Sequence, residues 1–270
     1  MAVRMDRSSP VTMDRRRFLA GAAATAVASS FDPRRALASA EGTVQGGKAV
    51  SHVVELFTSQ GCSSCPPADR YLAELAKRDD VLPLAFHVDY WNYLGWQDTF
   101  SSPLWSERQR LYAKRLDAGV YTPQMVIDGD KQAIGSRVDE VETILRDTAP
   151  LPAMMSVERG DRLAIRASAP RTAGASAVLH LVWFDRARSV PVARGENAGH
   201  TLLYAHVVRD MRMLGMADSE GMTLDLPMSD LQAIGHEACA LVLQEKVDGL
   251  PGRILAAHEV GEVGTALPAR

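Results

Sequence analysis

At 270 residues, with 46% hydrophobic and 23% charged side chains, the chain has the composition of a folded globular protein, with room for one large domain or two medium ones. The net charge of −3 becomes −7 over residues 41–270, because the first forty residues carry seven Arg and three Asp. That remainder has no basic stripe or Lys/Arg cluster, which argues against nucleic acid or an anionic membrane as a partner.

Residues 1–40 read as an export signal that resembles the twin-arginine type. An arginine run in Asp14-Arg15-Arg16-Arg17-Phe18-Leu19 precedes a small-residue apolar segment from Ala20 to Ser30, and Ala36-Leu37-Ala38-Ser39-Ala40 offers cleavage after Ala38 or Ala40. The apolar segment is shorter than the roughly 20 residues that a bilayer span requires. Export to the periplasm or another extracytoplasmic space is therefore expected, with no stable membrane insertion once the signal is removed. Disulfides persist in such compartments.

Residues 41–48, with Gly42, Gly46 and Gly47, read as a flexible leader. A buried strand is predicted over 49–58 from its β-branched and aromatic content. An amphipathic helix follows over 68–78, with Tyr71, Leu72, Leu75 and Ala76 inward and Asp69, Arg70, Glu74 and Lys77 outward. A second strand is predicted over 81–89, then an aromatic loop over 90–100. Ser102-Pro103 opens a helix running to about Leu116. The segments 124–127 and 131–134 flank Asp128-Gly129-Asp130 as a hairpin. Ser136 caps a last helix, with Val138, Val141, Ile144 and Leu145 inward and Asp139 at the capping-box position. This order predicts a mixed central sheet with helices on both faces over 49–149.

Beyond Pro150 and Pro152 the pattern changes. Strand-like runs recur over 162–167, 177–184, 201–208, 222–226, 238–244 and 254–260, and they predict an all-β sandwich-like domain over 153–263, with the boundary near 149–153.

The stretch with most chemistry is Gly61-Cys62-Ser63-Ser64-Cys65-Pro66-Pro67, between the first strand and the first helix. A CxxC pair brings two sulfurs within bonding distance across one turn. A cysteine at a helix N-terminus faces free N–H groups and the positive end of the dipole, which favour a thiolate. Cys62 is thus the candidate nucleophile and Cys65 the candidate resolving thiol. Pro66-Pro67 removes two amide donors where the helix should begin, which predicts a late or kinked start and a less activated Cys62. A permanent staple and a copper half-site with a histidine such as His87 are the other readings of the pair. A zinc site lacks ligands, since Cys239 stands alone in a strand-like run and reads as a buried structural thiol. No metal and no dissociable cofactor are expected.

Glu55 is a charge inside an otherwise apolar strand; its place resembles that of the buried acid of thioredoxins, which would make it a proton relay, and the other reading is the partner of a surface Lys or Arg. Trp91, Tyr93 and Trp96 either line a groove beside the cysteines or pack the insertion. Of the many methionines, including Met154, Met155, Met211, Met213 and Met216, most read as core fillers.

The element order, with CxxC at the start of the first helix, resembles thioredoxin-like proteins over roughly residues 49–147. That resemblance implies a cis peptide bond before Pro123, against the disulfide, and backbone groups of Thr122 and Pro123 that receive an extended peptide. The segment from Leu56 to Asp69, with His87-Val88-Asp89-Tyr90-Trp91, Gly195-Glu196-Asn197 and Val207-Val208-Arg209, is similar to the exported bacterial family catalogued as domain of unknown function 1223. That family resemblance implies a fold and a motif and no settled substrate; the CxxC pair with the thioredoxin-like resemblance implies an exported thiol-disulfide oxidoreductase acting on a protein or small-molecule thiol or disulfide. The alternative is a non-catalytic periplasmic binding or assembly factor with a structural disulfide. The sequence does not specify the oligomeric state.

Overall fold

A computed structural model describes residues 44–45, 47–170 and 175–263. The export-signal reading of residues 1–40 lies outside the described residues.

The described part of the expected leader is paired. Two short strands, β1 (Val44–Gln45) and β2 (Lys48–Ala49), pair with strands more than a hundred residues away. β3 (His52–Thr58) is buried at every position and leads through the cysteine loop into α1 (Pro66–Leu75). β4 (Val81–His87), equally buried, returns parallel to β3, from His52 beside Val81 to Thr58 beside His87. Near-continuous apolar runs are what strands covered on both faces require.

Helix α1 begins at Pro66, neither late nor kinked. Its two prolines occupy the first helical positions, where an N–H would have no partner inside the helix and where the fixed φ of proline suits the backbone. α2 (Pro103–Arg115) starts as predicted, with the Ser102 hydroxyl accepting from the Leu104 N–H at 3.2 Å. β5 (Gln124–Ile127) and β6 (Lys131–Ile134) form the expected hairpin, antiparallel to β3. α3 (Val138–Asp147) differs at its start: Arg137, not Ser136, precedes it, no side chain caps it, and Val138 is exposed. Val141 and Leu145 are buried as predicted.

The second half holds β7 (Met154–Arg159), β8 (Arg162–Ser168), β9 (Ala175–Pro191), β10 (Thr201–Ala217), β11 (Met222–Pro227), a short helix α4 (Met228–Gln232), β12 (Ala238–Val247) and β13 (Leu250–Glu262). These strands do not make a separate all-β body. Four of them extend the first half's sheet, giving nine strands in the order β2-β13-β12-β9-β10-β4-β3-β5-β6, while β1, β7, β8 and β11 form a second sheet. The junction is a parallel contact between β10 and β4, with Val207 beside Ala85. Such a pairing has no local signal, because its partners lie 122 positions apart.

Helices α1 and α3 pack on Val54, Leu56, Ala85 and Met125. The four-stranded sheet covers Leu179, Leu181, Trp183, Leu241 and Leu243, with Cys239 buried and unpaired among them. Helix α2 lies on the other face, where Phe57, Phe86 and Trp105 share a core with Phe184, Val208 and Val242 from the second half. Burying each such side chain contributes about 1.5–3 kcal/mol, so this shared layer strongly couples the two halves. The reading of the methionines as core fillers fails for Met154, Met213 and Met216, which are exposed.

A disulfide bracketed by three loops

The loop from Ser59 to Cys65 runs off the carboxyl end of β3, and Cys65 is the residue that precedes α1. Cys62 and Cys65 form a disulfide, with Cα atoms 5.4 Å apart. The Cys65 N–H donates to the Cys62 carbonyl at 3.2 Å and closes the turn. Ser63 and Ser64 are exposed, but Cys62 is only 1% exposed and Cys65 fully buried. An attacking sulfur needs access to its substrate. The loops that bracket it explain the burial.

The first is the segment before β5. The Thr122–Pro123 peptide bond is cis. The Thr122 hydroxyl donates to Cys62 Sγ at 3.2 Å, and the Ser64 hydroxyl donates to the Thr122 carbonyl at 3.4 Å. The direction of the Thr122 bond is set from behind, because Trp91 Nε1 donates to Thr122 Oγ1 at 2.8 Å and leaves the hydroxyl proton free to point at sulfur.

The aromatic loop is the second. Trp91 and Trp96 act as braces here: Trp96 Nε1 donates to the Gln60 side-chain oxygen at 2.9 Å. A Cβ on Gly61 would stand 3.1 Å from the Trp91 Cβ, so a side chain before Cys62 would force the aromatic loop to give by a few tenths of an ångström. Tyr93 projects into solvent.

The third comes from the second half, between β9 and β10. Asn197 is buried and donates from Nδ2 to the carbonyls of Gln60 (2.9 Å) and Cys62 (3.0 Å). The exposed Glu196 accepts from the Ser63 N–H at 3.2 Å. Gly195, at φ +82°, turns the chain toward the site in a region that costs other residues energy. Sequence similarity singled out this tripeptide without assigning it a role.

Glu55 is not brought to the cysteines. It points to the α2 face, where Arg108 Nε donates to it at 2.8 Å and the Tyr112 hydroxyl also donates to it. Arg108 and Tyr112 join Gln244 from β12 in the same network. The partner is a nearly buried arginine on α2.

The acid on the cysteine side is Asp69, which the helical reading placed outward. It is buried, its N–H donates to the Cys65 carbonyl at 3.1 Å, and its Oδ1 accepts from the Thr58 hydroxyl at 2.8 Å. Its position four residues after Cys65 and three before Leu72 lies on the inward stripe, a periodicity that could have revealed it. Burial pushes its carboxyl up to about 7, against the opposing pull of His87 and the Thr58 hydrogen bond.

His87, beside Thr58 on β4, bonds through Nδ1 to Asp98 at 2.8 Å. Burial works to raise Asp98, yet His87 and the amides of Gln60 and Phe100 hold it below the ordinary carboxylate range. Tyr204 packs edge-on against His87, and burial, then Asp69 and Asp98, pushes its hydroxyl well up. Asp69 Oδ2, His87 Nε2 and Tyr204 Oη are buried without a hydrogen-bond partner. Cys239, by contrast, is a thiol that burial pushes up to about 12, consistent with a structural residue.

Among the described residues no group of three or more His, Cys, Asp and Glu side chains is placed to hold a metal ion, and no helix is long and apolar enough to cross a membrane. A family model described as "Protein of unknown function (DUF1223)" matches residues 53–244, so the chain belongs to that family. The crystal structure of protein AGR_C_4864 from Agrobacterium tumefaciens is similar, at 36% identity and a TM-score of 0.68, covering 83% of this chain and 99% of that one. HBP35 of Porphyromonas gingivalis matches at 14% identity and a TM-score of 0.57, covering 83% of this chain and 79% of that one, which is a likeness of fold alone. No curated protein matches.

Proposed function

We propose that this DUF1223 protein is an exported thiol-disulfide oxidoreductase with a thioredoxin-like core, in which Cys62 is the attacking sulfur and Cys65 the resolving one. The observation that carries the reading is the Thr122 hydroxyl donating to Cys62 Sγ at 3.2 Å, oriented by Trp91. A hydrogen bond to sulfur is stronger when the sulfur is a thiolate, so it lowers the thiol pKa and favours the reduced form. A permanent staple gains little from such a donor. It also offsets what the helix lacks: Pro66 and Pro67 have no N–H, and the Ala68 and Asp69 amides are spent on the Cys65 carbonyl.

In the reducing direction the Cys62 thiolate attacks one sulfur of a substrate disulfide. A mixed disulfide forms and the first substrate thiolate leaves. Cys65 then gives its proton to Asp69, attacks the Cys62 sulfur and releases the second substrate thiolate, which closes the Cys62–Cys65 disulfide. Two substrate thiols are made for each enzyme dithiol oxidised, and the reverse sequence oxidises a substrate dithiol. Thr122 and Pro123 offer the backbone along which an extended substrate would lie.

The burial of both sulfurs favours a second reading, a structural disulfide in a binding or assembly factor. Titration of the mature protein in glutathione buffers, with alkylation and mass measurement, separates the two. Reversible titration, with mixed disulfides trapped by Cys65→Ser, is expected. A pair that stays oxidised in strong reductant while the protein remains folded would sink the first reading and leave the second.

A further inference from the structure

We infer that Glu196 is a positioning residue that sets the acidity and reduction potential of Cys62 from the second half of the chain. The inference rests on the redox reading of the cysteine pair. Glu196 accepts from the N–H of Ser63, the amide that directly follows Cys62. With Pro66 and Pro67 lacking N–H groups and the Cys65 N–H bonded to the Cys62 carbonyl, Ser63 and Ser64 carry the amides of this turn that no backbone carbonyl takes. Glu196 occupies one of them and adds a negative charge beside the position where a thiolate forms.

The placement is built, because the neighbouring Asn197 is buried and ties the same strap to the Gln60 and Cys62 carbonyls on either side of Gly61. Like charges held close disfavour each other. Glu196 therefore raises the Cys62 pKa, disfavours the reduced form and makes the disulfide harder to reduce. It opposes Thr122, and the potential is set by the difference between the two.

The reaction that reads this is exchange with glutathione: protein disulfide plus two glutathione thiols give protein dithiol plus oxidised glutathione. Glu196→Gln keeps an oxygen that can accept from Ser63 and removes only the charge. Glu196→Lys inverts it. The other titratable groups around the loop, Asp69 from α1, His87 from β4, Asp98 after β4 and Arg194 on the strap itself, are the same in all variants.

Expected is a Cys62 pKa, measured by the pH dependence of alkylation, that falls in the order wild type, Glu196→Gln, Glu196→Lys, by about half a unit at the first step. Near pH 9 the exchange equilibrium should move about threefold toward the dithiol, or about 14 mV upward for a two-electron couple. The shift should vanish near pH 5, where the reduced form is a neutral thiol and a carboxylate has no charge to repel. A merely structural contact would move neither the pKa order nor this pH profile. A wild-type pair that titrates while the variants keep its pKa and potential overturns the inference and leaves the redox reading standing. A wild-type pair that cannot be reduced while folded overturns both.

Discussion

Two buried acids lie on opposite faces of one sheet, and their surroundings differ. Glu55 faces α2, where Arg108 and Tyr112 donate to it and both also bond to Gln244 of β12. Asp69 lies on the face that α1 covers, its N–H bonded to the Cys65 carbonyl; its carboxyl bonds to Thr58 through one oxygen and leaves the other unpartnered, as are His87 Nε2 and Tyr204 Oη. A paired buried charge braces a fold, whereas a buried acid with one oxygen free of hydrogen bonds and a carboxyl pushed up to about 7 is fitted to exchange a proton.

Breaking the paired side should give the largest effect. Glu55→Leu leaves the Arg108 guanidinium uncompensated and should cost about 3–5 kcal/mol in urea unfolding, with no change in the alkylation pKa of Cys62. A change in that pKa would bring Glu55 back as a relay.

The other acid should respond with the opposite sign. The folded pKa of Asp69 lies above its unfolded value near 3.8, so the folded state holds the proton more tightly and loses stability as pH rises from about 4 to about 7, with the full cost present above 7. Asp69→Asn should therefore be more stable than wild type at pH 8, by on the order of 4 kcal/mol, and equal to it below about pH 3. With Cys65 in place, it should also slow the resolution of the mixed disulfide. Equal stability across that range would show that Asp69 is not held neutral.

Thr122→Val removes the donor at Cys62 Sγ. It should raise the alkylation pKa and lower the attack rate at pH 7 roughly threefold to tenfold, as the loss of about 1 kcal/mol of hydrogen bonding implies. Smallest is Tyr204→Phe, which deletes a hydroxyl that has no partner. Its stability should stay within about 0.5 kcal/mol of wild type or rise slightly. A loss above 2 kcal/mol would show that the hydroxyl is bonded in solution.

Local pattern made the first half legible. The apolar runs of β3 and β4, the Ser102-Pro103 start of α2 and the Asp128-Gly129-Asp130 turn are short-range signals, and each element stands within a few residues of its expected place. The β9–β10 hairpin extends well past the runs that betrayed it, because its outer parts alternate weakly and project from the core. The join of β10 to β4 was not legible, since a parallel edge contact leaves no periodicity of its own. At the site, Cys62, Cys65, Thr122 and Pro123 could be named from spacing and resemblance. Asp69 was hidden by its charge, which placed it outward although its spacing is that of the inward stripe. Glu196 and Asn197 were visible as residues but not as neighbours of a loop more than 130 positions away.

That distance has a consequence in the order of synthesis. The two cysteines leave the ribosome long before the strap that covers them and before β10, which closes the open edge of β4. Folding that must wait for partners so far along the chain is slow, and unpaired strand edges are prone to associate meanwhile. A chain stopped at Ala153 keeps both cysteines but exposes β4 and the sulfurs together. Sedimentation should find that fragment aggregated, and a soluble monomer would show that the first half closes its own edge.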